Sequence, residues 1–427
     1  MINHIKENIK RVKKSMAFAY FLLIMVIFLP TAITMPSLSF RSAIITAIGI
    51  DKLDDEIEVS VLSLANISKD NLGEKAKVIS GVSSSVANAI SSIEAQIGRR
   101  IRMGHVGYIV ISQDIATENV PEILNTLIIT SKLPNTVSLV MSKDNAKDVL
   151  TQANKLEQTS SFKLREVIHN EFNETYTKDT SVDAFMKGYL SEISTSTMGY
   201  ITLEKNSEEG LDASEGGSEG QSSTENKGEQ SGQQSSSQSQ QNSSGNKSVV
   251  YFNRNHAVFV NGKFKYILTD EEMKGVNWLA ESNLQKNFVI NNVNDQGLSD
   301  AQVTFEVINE KVQPKVLFRN NKPTIIYDMS LYLNVVEIKQ DEKNKISLKD
   351  FVLSDVVKRN IEDTLKKEIS QTLKTLRKEK TDVVGIYKVL YNDYNKFMNF
   401  LDTLTDKKDF LSYVQIKINV SSQLASN

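Results

Sequence analysis

The amino-acid sequence predicts an α+β fold in which mixed and antiparallel sheets are covered by helices in two or three domains, preceded by one N-terminal transmembrane helix. Three observations support this prediction. A long apolar run lies near the N-terminus, strand and helix patterns alternate up to residue 205, and alternating apolar residues dominate after residue 249. The chain has 427 residues, 40% hydrophobic and 24% charged, which is a globular composition with length for two or three cores.

The N-terminal segment joins a basic cluster to an apolar run. Positive charges are concentrated in residues 1–15, and residues 16–29 are almost wholly apolar before the run tapers to Met35. A helix rises about 1.5 Å per residue, so about 20 residues cross a hydrocarbon core near 30 Å thick. Because positive charge stays on the cytoplasmic side, residues 1–15 are predicted to be a cytoplasmic tail and residues 16–36 a transmembrane signal anchor. The bulk of the chain is then extracytoplasmic, on the cell membrane.

A cleaved secretory signal is the alternative to a permanent anchor, since a basic segment followed by a short apolar one is typical of both. Cleavage fits less well, because Pro30 lies two residues before Ala32 and Thr34 is followed by the bulky Met35. The chain contains no cysteine, which excludes a lipid-modified cysteine, disulfides and thiolate metal sites. Both alternatives place the folded domains outside the membrane.

The clearest change of composition lies at residues 206–248, which are rich in serine, glutamine, glycine and glutamate. Such a segment buries too little apolar surface to offset the entropy of ordering, so we predict that it is disordered. It is either a surface insertion or a flexible spacer, and strand patterns on both sides favour an insertion. It separates a predicted N-terminal α/β domain at 37–205 from a C-terminal α+β domain at 249–427.

The N-terminal domain alternates strand and helix patterns, which indicates helices packed on a sheet. Segments that are wholly apolar or alternate with a period of two predict strands at 42–50, 56–62, 106–112, 136–141 and 198–203. Apolar residues at helical spacing predict helices from residue 84, from Pro121 and at 145–150.

The C-terminal domain relies more on antiparallel pairing, because its strands alternate apolar and polar residues as sheets with one wet face do. Asn261-Gly262 between two such strands is a strong hairpin signal. Further strands are predicted at 303–307, 327–335 and 414–420. An apolar stripe from Val357 to Leu376 predicts a long helix, capped by Ser354, that lies across the sheet as part of its core.

No motif points to catalysis, a cofactor or a metal, so we predict a non-enzymatic protein with none of these sites. The four histidines (His4, His105, His169 and His256) lack metal-ligand spacing, and P-loop and GxGxxG motifs do not occur. A pair of carboxylates distant in sequence would leave no such motif, so a hydrolase stays open as an alternative. With 50 Lys+Arg against 52 Asp+Glu, nucleic acid is not expected as a partner.

A basic group and a histidine follow the helix predicted from residue 84. His105 could sense pH near neutrality, but we expect it to cap a strand or to pack beneath the following helix. Arg99, Arg100 and Arg102 could bind anionic lipid or a partner. The simpler interpretation is that positive charge is favoured after a helix C-terminus.

Three further polar or flexible positions and the single tryptophan receive structural interpretations. Asp51 and Asp382 each follow an apolar run and are expected in turns or helix caps. Gly385 is expected to end or bend a turn. Trp278 is expected to be buried rather than at an interface.

Four segments, in order, carry a resemblance to a known family. They are 43–51 (AIITAIGID), 104–106 with the following IVIS and Ile115-Ala116, 256–279 (HAVFVNGKFKYILTDEEMKGVNWL), and 381–385 with Leu390-Tyr391. In this order they resemble the C subunits of bacterial spore germinant receptors, the Ger(x)C family. The likeness extends over nearly the whole extracytoplasmic part of the chain.

The resemblance implies a membrane-anchored, non-enzymatic receptor subunit in the spore inner membrane, assembled with integral membrane subunits of the A and B types. Family members typically keep a lipid-modified cysteine followed by a tryptophan-containing stretch. Residues 35–41 occupy that place without cysteine or tryptophan, which implies that a transmembrane helix has replaced the lipid anchor. A cell-wall-interacting or adhesive surface module is the alternative function, and an extracytoplasmic hydrolase is a further one.

Overall fold

The computed structural model describes residues 16, 18–21, 23, 42–64, 76–159, 163–169, 179–205, 248–279, 286–340 and 347–425. These residues form two sheets covered by helices, which confirms the predicted α+β class. The predicted tail at 1–15, most of the predicted transmembrane helix at 16–36 and nearly all of the 206–248 segment lie outside the described residues. Within the described ranges, no helix is both long and apolar enough to cross a membrane.

The first sheet is mixed. Its nine described strands are β1 (Ser42–Leu53), β2 (Glu56–Ser63), β3 (Lys77–Ser83), β4 (Arg100–Arg102), β5 (Tyr108–Ser112), β6 (Ser138–Ser142), β7 (Thr195–Lys205), β8 (Ser248–Val260) and β9 (Lys263–Leu268). Their spatial order is β3-β2-β1-β5-β6-β7-β8-β9, and β4 pairs with the start of β1. The four central strands β1, β5, β6 and β7 are parallel, and the outer strands pair antiparallel.

Helices cover both faces of this sheet, so its central strands are buried on both sides. Every residue of β5 and β6 is buried. One face packs against α1 (Val86–Ile97), α2 (Gln113–Ala116), α3 (Val120–Ser131) and α6 (Val182–Tyr189). The other face packs against α4 (Ala146–Thr159) and α5 (Leu164–His169).

The strands on either side of the 206–248 segment are neighbours in one sheet. β7 and β8 pair antiparallel in a register that runs from Thr195 opposite Val260 to Lys205 opposite Ser248. Residue 249, where the C-terminal domain is predicted to begin, therefore lies within β8, a strand of the first sheet. β8 continues into β9 through Asn261 and Gly262, whose φ angles of 53° and 77° are those of a type I′ turn, which confirms the predicted hairpin.

The second sheet contains β10 (Lys286–Val293), β11 (Ala301–Arg319), β12 (Lys322–Lys339) and β13 (Gln415–Leu424), in that order. β10, β11 and β12 pair antiparallel. The expectation of antiparallel pairing fails at β13, which runs parallel to β12. A parallel neighbour needs a long crossover, and the helices between β12 and β13 supply it.

The crossover begins with the long helix α8 (Asp355–Glu379) and continues through α9 (Ile386–Tyr391), α10 (Tyr394–Leu401) and α11 (Phe410–Tyr413). The Ser354 hydroxyl accepts a hydrogen bond from the Val357 amide at 3.2 Å, as the sequence predicts. The predicted stripe is buried in one core with the second sheet and α7 (Asp270–Leu279), which confirms it as core. Val258 and Leu268 of the first sheet belong to this same core, so apolar packing is continuous between the two sheets.

Candidate functional site

The aspartate of the AIITAIGID segment caps a helix. Asp51 ends the buried part of β1, and its carboxylate accepts hydrogen bonds from the backbone amides of Ala146 at 2.7 Å and Lys147 at 2.9 Å. The first amides of a helix have no partner inside the helix, so a strand aspartate supplies one for α4. Burial raises the pKa of the Asp51 carboxyl, and the hydrogen bonds from the two amides oppose that rise. The predicted capping role is confirmed.

Asp382 has the same function for α9. Its carboxylate accepts hydrogen bonds from the amides of Gly385 at 2.9 Å, Ile386 at 2.8 Å and Tyr387 at 2.7 Å. Gly385 sits at the N-cap with a φ of 87°, which an L side chain adopts only with strain, so the predicted turn is confirmed. Asp51 and Asp382, each from a family-like segment, therefore both accept hydrogen bonds from backbone amides.

Among the residues that the structure describes, the histidines do not converge on one site. His105 ends a short 3₁₀ turn (Met103–His105) ahead of β5 and is exposed, so of its two expected roles, capping a strand or packing beneath a helix, the second is wrong. His256 is buried in β8, with Nδ1 at 3.2 Å from the Arg254 carbonyl oxygen. Across the described ranges, no three His, Cys, Asp or Glu side chains converge as a metal site would require. His4 lies outside the described residues.

A cleft of about 610 Å³ lies between α7, α8 and β10. Its lining carries both signs of charge, including Lys274, Lys367 and Glu368, with asparagine and glutamine amides beside them. Trp278, the only tryptophan of the chain, is 3% exposed, which confirms its predicted burial. Its ring packs edge-on against Phe288, with ring centres 5.5 Å apart.

The cleft contains one carboxyl whose pKa is raised. The Trp278 indole Nε1 donates a hydrogen bond of 2.6 Å to Oε2 of Glu368. Burial raises the pKa of Glu368, while the indole hydrogen bond and the charge of Lys274 oppose the rise. The nearby Glu271 carboxylate is exposed and pairs with Lys274 at 2.8 Å. The lining can therefore bind a polar group by hydrogen bonds and ion pairs.

Sequence reasoning missed Glu368. The apolar stripe of α8 predicts which residues face the core, but a single glutamate on the flank of that stripe resembles an ordinary solvated residue. Only the approach of α7, which brings Trp278 to the same place, distinguishes it. The sequence holds no local signal for a contact between residues so far apart.

Basic side chains collect at one end of the first sheet. Helix α1 ends at Gly98, which has a φ of 68°, and Arg99, Arg100 and Arg102 follow it, as predicted for charge after a helix C-terminus. β4 then pairs parallel with the start of β1, so that Arg100 lies beside Ser42 and Arg102 beside Ile44. Arg100 and Arg102 are exposed.

Two family models match the chain and cover most of it. Residues 41–203 match the spore germination protein N-terminal domain, and residues 254–426 match the domain described as spore germination B3/GerAC like, C-terminal. The chain belongs to the Ger(x)C family of spore germination proteins. The resemblance found in the sequence is thereby confirmed, and a role in spore germination follows from it. The unmatched stretch between the two domains of this Ger(x)C chain contains the 206–248 segment.

Individual members of the family are similar to this chain along most of its length. Spore germination protein KC of Bacillus subtilis (strain 168) is 23% identical over 405 residues, which cover 90% of this chain and 88% of that protein. The crystal structure of the GerBC protein covers 89% of this Ger(x)C chain and 97% of its own, with 14% identity and a TM-score of 0.48.

Proposed function

We propose that this Ger(x)C chain is a membrane-anchored, non-enzymatic subunit of a spore germinant receptor, assembled with integral membrane subunits of the A and B types. The observation that carries the proposal is the match of two germination-protein domains to residues 41–203 and 254–426. Family proteins are receptor subunits, so the role proposed here is the one that the family shares.

The N-terminal sequence supports the anchor. A basic cluster precedes an apolar run of near-spanning length, and the first sheet begins soon after it, at Ser42. Positive charge on the cytoplasmic side would leave both sheets outside the membrane, which is the spore inner membrane by analogy with the family. One tether would hold the folded domains at the membrane surface, where weak contacts with membrane subunits gain from a high effective concentration.

The positions of the acidic side chains support a non-enzymatic role. Asp51 and Asp382 are buried and accept two and three backbone hydrogen bonds, so neither is available as a general acid or base. Glu368 has a raised pKa, as catalytic acids often do, but its Oε2 accepts the Trp278 hydrogen bond. The contacts of these acidic side chains therefore support a structural role for the family elements.

The test of this proposal exchanges the anchor. Residues 1–36 are replaced by a cleaved secretory signal in one variant and by an unrelated single-pass helix in a matched control. We expect the secreted variant to fold, to lose co-purification with A and B type subunits from detergent-solubilised spore membranes, and to germinate poorly. The control helix should restore both properties.

Two outcomes would overturn the proposal. Full germination with the secreted variant would show that the protein functions without a membrane anchor. Capture on peptidoglycan, with no recovery of multispanning membrane subunits by the native chain, would favour the cell-wall-interacting alternative instead.

A further inference from the structure

The end of the first sheet that lies nearest the proposed anchor combines exposed charge with an exposed apolar side chain. Partners in the β1–β4 register face the same side of the sheet. Ile101 and its partner Ala43 are buried, which turns Arg100, Arg102 and Ile44 to the outer side. Ile44 is 43% exposed, although it lies in a strand that is otherwise mostly buried.

This orientation is fixed by the packing around β4. The Glu94 carboxylate of α1 accepts a hydrogen bond of 2.8 Å from the Ile101 amide. This carboxylate is therefore bound to the backbone of β4, between Arg100 and Arg102. β4 cannot rotate to bury Arg100 and Arg102 without exposing Ile101 and breaking this contact.

A further arginine reaches the same end from the opposite helical layer. A Cβ atom placed on Gly107 would lie 2.6 Å from both Cδ and Nε of Arg165 in α5, so the Arg165 side chain lies directly across Gly107. The Gly107 amide donates a hydrogen bond of 2.9 Å to the Thr46 carbonyl oxygen of β1. Arg165 is exposed, like Arg100 and Arg102.

These guanidinium groups are not neutralised by neighbouring acids. Among the residues that the structure describes, no carboxylate forms an ion pair with Arg100, Arg102 or Arg165. A guanidinium group presents a planar fork of donors that matches phosphate oxygens, and it is more weakly hydrated than an ammonium group. The three groups are therefore suited to bind phosphate.

The sequence limits how far this end can be from a bilayer. Only six residues separate Met35, the end of the apolar run, from Ser42, the first residue of β1. A chain of this length spans at most roughly 25 Å when fully extended. With residues 16–36 in the membrane, the start of β1 and the arginines beside it must stay close to the headgroups.

We infer that Arg100, Arg102 and Arg165 bind the phosphates of anionic phospholipid headgroups, with Ile44 contacting the apolar side of the same interface. The inference rests on the proposed anchor. This basic end of the first sheet, formed by Arg100, Arg102 and Arg165, would orient the two sheets on the membrane. The surfaces on the opposite side of the protein would then face away from the bilayer. Each arginine near an anionic membrane surface contributes about fivefold to such an equilibrium.

The test uses a single label on the full chain, which contains no cysteine of its own. Gly104→Cys adds a unique thiol between Arg102 and Gly107, at a position where an added Cβ has no neighbour within 4 Å. The labelled protein is reconstituted into vesicles of phosphatidylcholine alone or with phosphatidylglycerol, each with a headgroup-level quencher. We expect strong quenching only with phosphatidylglycerol, and its loss in high salt.

Variants that remove the arginine charges test whether these side chains cause the quenching. Arg100→Gln, Arg102→Gln and Arg165→Gln together should weaken the docking equilibrium by roughly a hundredfold, given about fivefold for each charge. The matched control removes the same charge from the exposed Lys311, Lys322 and Lys417 in the second sheet and at its edge, and should leave quenching unchanged.

Two results would overturn the inference. One is equal quenching in vesicles with and without phosphatidylglycerol, and the other is an equal loss of quenching in the arginine and the lysine triple variants. Quenching that requires added A and B type subunits would show that the basic end binds a protein partner. Extraction with alkaline carbonate tests the anchor separately. A chain released by carbonate contradicts the proposed function, whereas a retained chain without quenching contradicts only the lipid contact.

Discussion

Glu368 places a carboxyl group in a partly buried cleft, where its hydrogen-bond donor is Trp278, the only tryptophan of the chain. Burial disfavours the charged form and raises the pKa above the ordinary value of 4.5. The folded state therefore binds this proton more tightly than the unfolded state does. The stabilisation that results is fully present below the unfolded pKa and is lost as pH rises through the folded pKa.

The indole should report this titration directly. On acidification we expect the tryptophan emission to change at a pH above 4.5, because protonation replaces a charge-assisted hydrogen bond with a weaker neutral one. Fluorescence emission recorded against pH measures the midpoint. Glu368→Gln should abolish the transition and keep the protein folded.

A second variant tests whether the removal of any nearby charge would abolish the change in tryptophan emission. Glu271 lines the same cleft but is exposed and paired with Lys274, so Glu271→Gln should retain the transition. Its midpoint should move to a lower pH, because the charge of Glu271 contributes to the raised pKa of Glu368. A transition that survives Glu368→Gln would mean that another group controls the indole emission.

Helices that begin beside an aspartate show how separated parts of the chain hold one another in place. Asp51 on β1 supplies the cap for α4, and Asp382, just before α9, accepts three amides of its first turn. A carboxylate at a helix N-terminus also interacts favourably with the positive end of the helix dipole. In both cases a single buried side chain orients the helix that it caps.

Removing the α9 cap should destabilise the fold measurably. Asp382→Ala leaves three amide groups without their carboxylate, and a buried unsatisfied polar group costs about 1 to 3 kcal/mol. We expect a loss of about 2 kcal/mol or more in the free energy of unfolding, measured by chemical denaturation. Asp382→Asn should lose less, because its amide oxygen still accepts.

Asp393 offers a matched control, because it also stands before a helix. Its side chain makes no capping hydrogen bond to α10 and pairs instead with Lys396 at 2.8 Å, near the surface. Asp393→Ala should therefore change the denaturation midpoint little. A comparable loss in both variants would show that the three amide contacts of Asp382 are not the cause.

Elements that depend on neighbouring residues could be predicted, whereas those set by distant contacts could not. The Asn261-Gly262 hairpin and the Ser354-capped helix α8 have their signals within a few residues. The apolar alternation that predicts β11 stops near Val307, yet the strand continues to Arg319, because its far end pairs along its whole length with β12. β13 looks antiparallel from its alternation alone, and only the crossover helices make it parallel.

The same distinction between local signals and distant contacts applies to the candidate sites. The capping roles of Asp51 and Asp382 were predictable, because aspartate after an apolar run is a local signal. The position of Arg99, Arg100 and Arg102 after a helix was predictable too, but their place beside Ser42 results from a parallel pairing between distant segments. Glu368 could not be predicted, because its burial and its contact with Trp278 depend on the packing of α7 against α8.

On the scale of the whole molecule, the two sheets are joined through the β8–β9 hairpin. Tyr266 of β9 shares a hydrogen bond of 2.7 Å with the Thr381 hydroxyl, directly after α8. Lys265 forms an ion pair of 3.6 Å with Glu379 at the end of that helix. Because Val258 and Leu268 also lie in the core of the second sheet, a displacement of one half must be transmitted to the other.

The segment that the sequence sets apart connects β7 to β8, the first strand of that hairpin. Lys205 and Ser248 are register partners, so the two ends of residues 206–247 already lie side by side. An Asn-Gly turn, like the one that joins β8 to β9, could therefore replace the segment without moving either strand. Each halving of a flexible loop lowers the entropic cost of closing it by about 0.6 kcal/mol, so the shortened chain should be more stable by roughly 2.5 kcal/mol.

Thermal unfolding and far-ultraviolet circular dichroism of the shortened chain measure this expectation against the native protein. We expect the same spectrum, a transition temperature equal to or above that of the native chain, and unchanged pairing of β7 with β8. A matched variant in which a Gly/Ser stretch of the original length replaces residues 206–247 separates loop length from loop sequence. It should unfold like the native chain if the segment is disordered. A lower transition temperature in both variants would show instead that residues 206–247 pack against the sheets, contrary to the prediction from their composition.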